Sequence, residues 1–170
     1  KIDLIITSGA VSAGKFDFVP SAVNNFQLSY YFKSVAIRPG KPILFAKVRG
    51  KPKAIFGLPG NPISSAACFR FFVYPYIRSL LCIKEEISFK AVLKNDFTKK
   101  KNFTRFVKSK LSTTKNGKLE VQILRGQESF RIKSFIQSNI WVMLPSGKEK
   151  FKKGETVDCF FPNQSNKIFL

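Results

Sequence analysis

A short segment stiffened by proline, Arg38-Pro39-Gly40-Lys41-Pro42, places two cations close together in the sequence. Proline fixes the backbone angle φ, so Arg38 and Lys41 should be presented on a loop with few alternative conformations. Guanidinium and ammonium groups held in this way suit the binding of phosphate or another oxyanion. An exposed connector with solvated side chains is the alternative, and the segment by itself does not decide between the two.

A second segment, Thr7-Ser8-Gly9-Ala10-Val11-Ser12-Ala13-Gly14, is rich in hydroxyl groups and small residues. The hydroxyls of Thr7, Ser8 and Ser12 offer donors to an anion, and Gly9 allows a ligand to approach the backbone closely. The spacing matches neither the P-loop nor the dinucleotide fingerprint. A tight turn between a strand and a helix, without a ligand, is the alternative interpretation.

The third candidate is the loop Gly57-Leu58-Pro59-Gly60-Asn61-Pro62, which follows the apolar run Ala54–Phe56 and precedes a helix-like run, 63–81. Glycine and proline together predict a stiff, sharply bent connection. Loops that join the end of a strand to the start of a helix are where α/β proteins bind anionic ligands.

Asp17 is the candidate metal ligand, because the first 82 residues contain only Asp3 and Asp17 as acidic residues among eleven cations. A carboxylate beside a glycine loop could hold Mg²⁺ or position a ligand. The alternative is an acidic residue in the first turn of a helix, where the helix dipole favours it.

The absence of histidine excludes His-dependent triads and imidazole acid–base chemistry. Cys68, Cys82 and Cys159 are odd in number and widely spaced, which argues against a disulfide framework and a zinc site. All three lie in apolar surroundings in the sequence, so we expect buried, structural thiols.

The net charge of +20, from 30 basic and 10 acidic residues, suggests nucleic acid as a partner. The charge is spread along the whole chain, however, and no motif of alternating basic and aromatic residues stands out. A lysine-rich surface on a fold that tolerates it, or a basic site for a phosphorylated small ligand, are the other interpretations. A nucleic-acid-binding module with an oligonucleotide-binding barrel in its second half stays an alternative.

Strand-like and helix-like runs alternate up to Cys82 and predict an α/β region. Residues 2–6 have the continuous apolar character of a strand buried on both faces, and 16–31 have helical spacing. Short strands are predicted at 35–37, 43–46 and 54–56. The helix at 63–81 contains Pro75, which should kink it or mark its last turns.

After Cys82 the sequence predicts about five or six short strands in an all-β, barrel-like or sandwich-like module. The runs 87–93 and 103–111 alternate loosely, Leu119 to Ile123 alternates clearly, and 140–144 is continuously apolar. Asn116-Gly117 is a strong hairpin signal. We therefore expect two domains, 1–82 and 83–170, and no membrane-spanning segment, since no apolar run is long enough.

Taken together, the motifs agree in order and spacing with one known family. They are Thr7–Gly14 with Asp17-Phe18-Val19, Ile37–Pro42, Phe56–Ser64, Phe103-Thr104-Arg105, Gly126-Gln127-Glu128-Ser129 and Asn139–Pro145. This combination resembles the molybdopterin molybdenumtransferase family, which includes the bacterial molybdenum cofactor biosynthesis enzyme and the E domain of gephyrin. The resemblance covers nearly the whole chain, but only the C-terminal part of the family's sequence.

The resemblance implies a partial three-layer molybdopterin-binding α/β domain followed by a small β-barrel-like domain. It also implies insertion of molybdate into adenylylated molybdopterin with release of AMP, assisted by Mg²⁺. As part of a longer cytoplasmic protein that forms a homodimer, the chain is expected to be inactive alone, because half of the cleft lies elsewhere. A scaffold that kept the fold and lost catalysis, as gephyrin's structural role suggests, is the alternative.

By the same resemblance, Asp17 should position the metal or the substrate. The expected substrate-binding residues are Thr7, Ser8, Gly9, Ser12, Arg38, Lys41, Pro59, Gly60, Asn61, Pro62, Arg105 and Ser129. The chain departs from the family pattern at Ala10, where a second glycine is usual, and the methyl group restricts the φ values open to this loop.

Overall fold

A computed structural model describes residues 2–9 and 27–163 of the 170-residue chain. The chain divides into two compact units, Lys1–Ile83 and Lys84–Leu170. The first is a mixed α/β region and the second is built around a five-stranded β-barrel, which confirms the predicted fold class. No helix in the described ranges is long and apolar enough to cross a membrane.

The first unit contains a four-stranded sheet in the order β1-β5-β4-β2. Its strands are β1 (Leu4–Ser8), β2 (Leu28–Phe32), β4 (Leu44–Val48) and β5 (Ala54–Leu58), with a two-residue β3 (Ile37–Arg38) between β2 and β4. Strands β1 and β5 are parallel, whereas β4 is antiparallel to both of its neighbours. The carboxyl ends of β1 and β5 therefore lie side by side, and the loops that follow them start at the same edge of the sheet.

Two expectations about β1 are wrong. Ile5 and Ile6, whose side chains lie on opposite faces of the strand, are 47% and 40% exposed, so the strand is not buried on both faces; it is an edge strand of the described sheet. Thr7 and Ser8 were placed in the following loop but are the last residues of the strand.

The predicted helix at 16–31 is wrong at its C-terminal end, and residues 10–26 lie outside the described ranges. Leu28–Phe32 is a strand that pairs with β4, with Leu28 opposite Val48. Its aromatic rings explain the difference, because the rings of Tyr31 and Phe32 lie 5.2 and 5.6 Å from the ring of Phe45. Cross-strand aromatic packing stabilises a strand more than the helical spacing of the sequence favours a helix.

A long helical segment follows β5, as predicted, but it consists of three parts. Helix α1 (Pro62–Cys68) leads into a π-helical turn (Phe69–Val73) and then into α2 (Tyr74–Leu80). Pro75 has no N–H to donate, and the wider turn lies just before it, where the Tyr74 N–H bonds to the carbonyl of Phe69. The expected disturbance at Pro75 is therefore a π-helical turn upstream of the proline.

The described part of the second unit, up to residue 163, forms seven strands and one short helix. The strands are β6 (Phe89–Leu93), β7 (Phe97–Thr98), β8 (Thr104–Thr113), β9 (Leu119–Ile123), β10 (Ile140–Leu144), β11 (Lys150–Phe151) and β12 (Thr156–Phe160); the helix is α3 (Ile132–Gln137). The order β10-β12-β6-β9-β8 is closed by pairing of β8 with β10. Apolar residues such as Val107, Val121 and Val142 fill the barrel.

The strands of this unit confirm most of the sequence predictions, including the Asn116-Gly117 hairpin between β8 and β9, where Gly117 has a φ of +74°. The helix α3 was not predicted. The cysteine expectation holds in part: Cys68 and Cys159 are buried, and burial raises the pKa of each thiol to about 12, whereas Cys82 is exposed.

Candidate functional site

The β5–α1 loop is held by the side chain of Asn61, which caps the helix. The Asn61 Oδ1 atom accepts hydrogen bonds from the backbone N–H groups of Ile63 and Ser64, at 3.2 and 3.3 Å. Pro62 occupies the first turn of the helix, where its missing N–H costs nothing. Asn61 therefore satisfies two amides that an anion at this helix end would otherwise use, so its observed role is to shape the loop.

Gly9, directly after β1, packs on the β5–α1 loop. The backbone N–H of Gly9 donates to the carbonyl of Leu58 at 3.0 Å. A Cβ atom on Gly60 would lie 3.4 Å from the Cα atom of Gly9, so the two backbones are nearly in contact. Gly9 has a φ of +81°, in the region that favours glycine. The predicted site residues Thr7, Ser8 and Gly9 thus lie beside the 57–62 loop.

Hydroxyl groups line the junction between these two loops. The Oγ atoms of Ser8 and Ser65 lie 3.5 Å apart, and the Ser65 hydroxyl donates to the carbonyl oxygen of Pro59. The Thr7 Oγ1 atom is buried and has no hydrogen-bond partner within the described part of the chain. Buried polar atoms in native proteins are nearly always paired, so Thr7 is a candidate to bind a ligand here.

The cationic loop packs against the side of α1. Gly40 has a φ of +101°, and a Cβ atom at this position would clash with the Sγ atom of Cys68. The Cys68 thiol donates to the Gly40 carbonyl at 3.4 Å, which fixes the centre of the loop on the helix. Arg38 and Lys41 flank this anchor and are exposed. Within the residues described here, the Lys41 ammonium has no carboxylate or hydrogen-bonding partner.

In the first unit, therefore, three predicted loops meet around α1: the carboxyl end of β1 with Gly9, the 38–42 loop and the 57–62 loop. Asp17 and Ser12 lie outside the described residues, so their predicted roles remain predictions. The described ranges contain no group of three or more His, Cys, Asp or Glu side chains that could hold a metal ion. A Mg²⁺ site formed by protein groups alone does not fit this part of the chain.

The second unit contains the other two predicted site residues. Arg105 lies on β8, and its guanidinium carbon is 5.4 Å from the ring centroid of Phe97. Ser129 lies in the loop between β9 and α3. Its hydroxyl forms no hydrogen bond to another described residue, which leaves the group available to a ligand.

The sequence analysis did not identify one functional candidate, Lys108. Lys108 on β8 is 1% exposed, and its Nζ atom donates to the carbonyl oxygens of Gly126, Glu128 and Arg131 at 2.8, 3.0 and 3.2 Å. Burial lowers the pKa of the Lys108 ammonium. In a chain this rich in lysine, nothing in the sequence distinguishes a buried lysine from an exposed one.

Comparison with known families identifies both units. A family model described as a probable molybdopterin binding domain matches residues 1–79, and one described as the MoeA C-terminal region (domain IV) matches residues 90–160. The molybdopterin molybdenumtransferase of Staphylococcus aureus (strain COL) is 38% identical over 160 residues, which is 93% of this chain and 38% of that protein. Its counterpart in Staphylococcus epidermidis (strain RP62A) is 36% identical over 168 residues, 96% of this chain and 39% of that protein. The chain thus spans well under half the length of these relatives.

Solved structures show the same fold. The molybdopterin biosynthesis MoeA protein from Pyrococcus horikoshii OT3 matches with a TM-score of 0.67 and 23% identity, over 93% of this chain and 35% of that one. A molybdenum cofactor biosynthesis protein from Pyrococcus furiosus matches with a TM-score of 0.63 and 21% identity, over 94% of this chain and 48% of that one. Two family models that together cover most of the sequence carry the assignment, and the chain belongs to the MoeA family of molybdopterin molybdenumtransferases.

Proposed function

We propose that the chain binds adenylylated molybdopterin and molybdate at the loops around α1, as its part in the insertion of molybdate with release of AMP. The observation that carries the proposal is the close approach of Gly9 to Gly60 just before α1, the helix on which the 38–42 loop with its exposed cations also packs. Both substrates are anionic, so an open backbone surface together with the exposed Lys41 ammonium suits them.

Each group has a definite task in this proposal. Lys41, together with Arg38, neutralises the phosphate or the oxyanion. The hydroxyls of Thr7 and Ser8 donate hydrogen bonds to the ligand, and the glycines leave room for it. Pro59 and Pro62 keep the wall of the pocket rigid, which lowers the entropic cost of binding.

Mg²⁺ enters the proposal only with the substrate. The ion commonly binds through one or two carboxylates together with substrate phosphates, which agrees with the lack of a protein-only site in the described ranges. Asp17 is the carboxylate proposed for it. The bound ion would neutralise phosphate charge, while Lys41 and Arg38 hold the remaining oxygens.

The chain corresponds to 38% of the length of its Staphylococcus aureus relative. We therefore propose that it binds the pterin but does not complete molybdate insertion alone, and that homodimer formation and cytoplasmic activity belong to the longer protein.

Equilibrium binding tests the proposal. The chain is titrated with adenylylated molybdopterin, and binding is followed by pterin fluorescence at physiological ionic strength. We expect saturable binding that AMP weakens by competition. Absence of saturable binding by a folded chain would contradict the proposal.

A further inference from the structure

Strand pairing in the second unit brings together two lysine-rich stretches that are far apart in the sequence. Lys99-Lys100-Lys101 directly follows β7, and β11 lies within Lys148-Glu149-Lys150-Phe151-Lys152-Lys153. The two strands pair antiparallel, with Thr98 opposite Lys150. Seven lysines therefore lie on one two-stranded element, 96–101 with 147–153, which we call the β7–β11 ribbon.

The ribbon is fixed to the barrel by side chains that face inward. Phe151 is 4% exposed and belongs to the barrel core, and Phe97 packs against that core. The Lys99 Nζ atom is also turned inward, where it donates to the carbonyl oxygen of Phe103 at 2.8 Å. Because side chains alternate along a strand, Lys150 points away from the barrel while Phe151 is buried. The outer charges are thus carried by a backbone that is held in place.

Only some of the exposed lysines on the ribbon are neutralised. The Lys148 Nζ atom lies 2.5 Å from a carboxylate oxygen of Glu155, and the Lys152 Nζ atom lies 3.3 Å from one of Asp96. Glu149 is a further exposed carboxylate on the ribbon. Four other ammonium groups are exposed and have no hydrogen bond or carboxylate partner within the described part of the chain, those of Lys100, Lys101, Lys150 and Lys153.

The chemistry of this surface favours the carboxylates of an acidic protein segment over other polyanions. The cations of the ribbon are all lysines, so it has no arginine to bind a phosphate in bidentate fashion. Its aromatic rings offer no stacking surface to bases, because Phe151 is buried and the Arg105 guanidinium carbon lies 5.4 Å from the ring centroid of Phe97. The ribbon exposes no large apolar side chain that could enter a lipid bilayer.

We propose that the β7–β11 ribbon is a docking surface for an acidic segment of a partner protein. Carboxylates of that segment form ion pairs with the four exposed lysines that lack a partner. From 97 to 101 the ribbon is about 13 Å long, at roughly 3.3 Å per residue, so a segment of about five extended residues spans it. Ion pairs between exposed groups are individually weak, and the affinity comes from several of them acting together.

A lysine-rich surface that attracts any polyanion is the competing explanation, since the net charge of the chain is +20. The β8–β9 hairpin separates the two explanations, because Lys115 and Lys118 are also exposed and their ammonium groups have no partner among the described residues. General attraction depends on net charge, so removing the same charge from either place should have the same effect. Docking on the ribbon depends on where the charges lie.

Binding of a fluorescein-labelled oligoglutamate peptide tests the proposal. Fluorescence anisotropy at physiological ionic strength compares the unmodified chain with Lys100→Gln/Lys150→Gln and with the control Lys115→Gln/Lys118→Gln; urea denaturation checks that the stabilities agree. We expect the ribbon variant to bind about tenfold more weakly and the hairpin variant to bind as the unmodified chain does. Carbodiimide cross-linking of the peptide to the unmodified chain should join its glutamates to lysines of the ribbon.

The outcomes are distinct. Equal losses for the two variants, cross-links spread over the whole chain, or no peptide binding by the unmodified chain would overturn the ribbon as a docking surface. An oligouridylate of the same net charge and phosphatidylserine vesicles identify the class of partner: if either binds more tightly than the peptide and loses affinity only in the ribbon variant, the partner is not an acidic protein. A loss confined to the ribbon variant, with cross-links at its lysines, supports the proposal. Because the peptide contains no pterin, this titration and the pterin titration can fail independently.

Discussion

The Cα atom of Gly9 lies 3.4 Å from the position that a Cβ atom on Gly60 would occupy. This contact joins the loop after β1 to the loop after β5, at the edge of the sheet where the parallel pair of strands ends. A side chain on Gly60 would press on the Gly9 backbone, whereas the two glycines leave the surface of this junction open to a ligand.

Gly9→Ala should weaken ligand binding beyond its cost in stability. The substitution places a Cβ atom at a φ of +81°, which costs about 1 kcal/mol, and brings it to 4.0 Å from Gly60. Gly50→Ala is the matched control, because Gly50 has a φ of +68° and nothing within 4 Å. Urea denaturation should give similar losses for both, and only Gly9→Ala should reduce affinity for the pterin; equal affinities would argue against a ligand at this junction.

Two substitutions of Asn61 should have different effects on the stability of the loop and on ligand binding. Asn61→Ala removes the cap on the Ile63 and Ser64 amides and should lower the free energy of unfolding by about 1 kcal/mol. Asn61→Asp preserves the cap but adds a negative charge beside the proposed anion. Asn61→Asp should therefore be nearly as stable as the unmodified chain in urea denaturation while binding the pterin more weakly; unaffected binding would place the anion elsewhere.

Gly40→Ala should destabilise the chain by about 2 kcal/mol or more, because the added methyl group meets the Cys68 Sγ atom at a backbone φ of +101°. Part of the loss should be recovered in Gly40→Ala/Cys68→Ala, which removes the steric clash but not the backbone strain. Gly147→Ala, with a φ of +85° and open space around it, measures the strain alone. If Gly40→Ala and Gly147→Ala were equally stable by urea denaturation, the 38–42 loop would not be packed on α1.

Acid should weaken the barrel through Asp158. Its hydrogen bond with Lys90 and the one donated by Ser88 lower the pKa of the Asp158 carboxyl below its ordinary value of 3.8. The stabilisation is therefore fully present above about pH 4 and is lost as the pH falls through the lower, folded-state pKa. In urea denaturation from pH 2 to 6, the advantage of the unmodified chain over Asp158→Asn should shrink towards the acid end. If the difference in the free energy of unfolding between the two chains were constant over this pH range, the ion pair of Asp158 with Lys90 would contribute nothing to stability.

Nucleic acid should bind only through general charge attraction. The net charge of +20 predicts association with RNA or DNA at low salt, and a steep loss as salt is raised. A salt titration by fluorescence anisotropy should show no sequence preference and little binding at physiological salt. Submicromolar, sequence-specific binding under those conditions would favour the alternative of a nucleic-acid-binding module.

Local signals in the sequence were sufficient for much of this fold. The positions of Gly9, Gly40 and Gly60 between apolar runs indicated the three loops, because glycine and proline mark sharp connections, and Asn116-Gly117 indicated the hairpin. The fold class follows from the same change of pattern near Cys82. These features depend on neighbours in the sequence, and so the sequence is enough to predict them.

Features that depend on distant residues were not predictable in this way. The strand at Leu28–Phe32 exists because its rings pack on Phe45, and Asn61 acts as a cap because a helix begins at Pro62. Lys108 is buried because three carbonyls of a loop many residues away converge on it. In each case a tertiary contact decides the role of a residue whose sequence context permits several.

Comparison of two lysine variants tests the central claim most directly. Lys41→Ala and Lys51→Ala each remove one exposed positive charge from the first unit, but Lys41 belongs to the loop packed on α1, whereas Lys51 lies in the turn that precedes β5. Because the change in net charge is the same, any difference in affinity for adenylylated molybdopterin must come from the different positions of the two lysines. The account predicts about tenfold weaker binding for Lys41→Ala and unchanged binding for Lys51→Ala. Equal affinities for the two variants would contradict it.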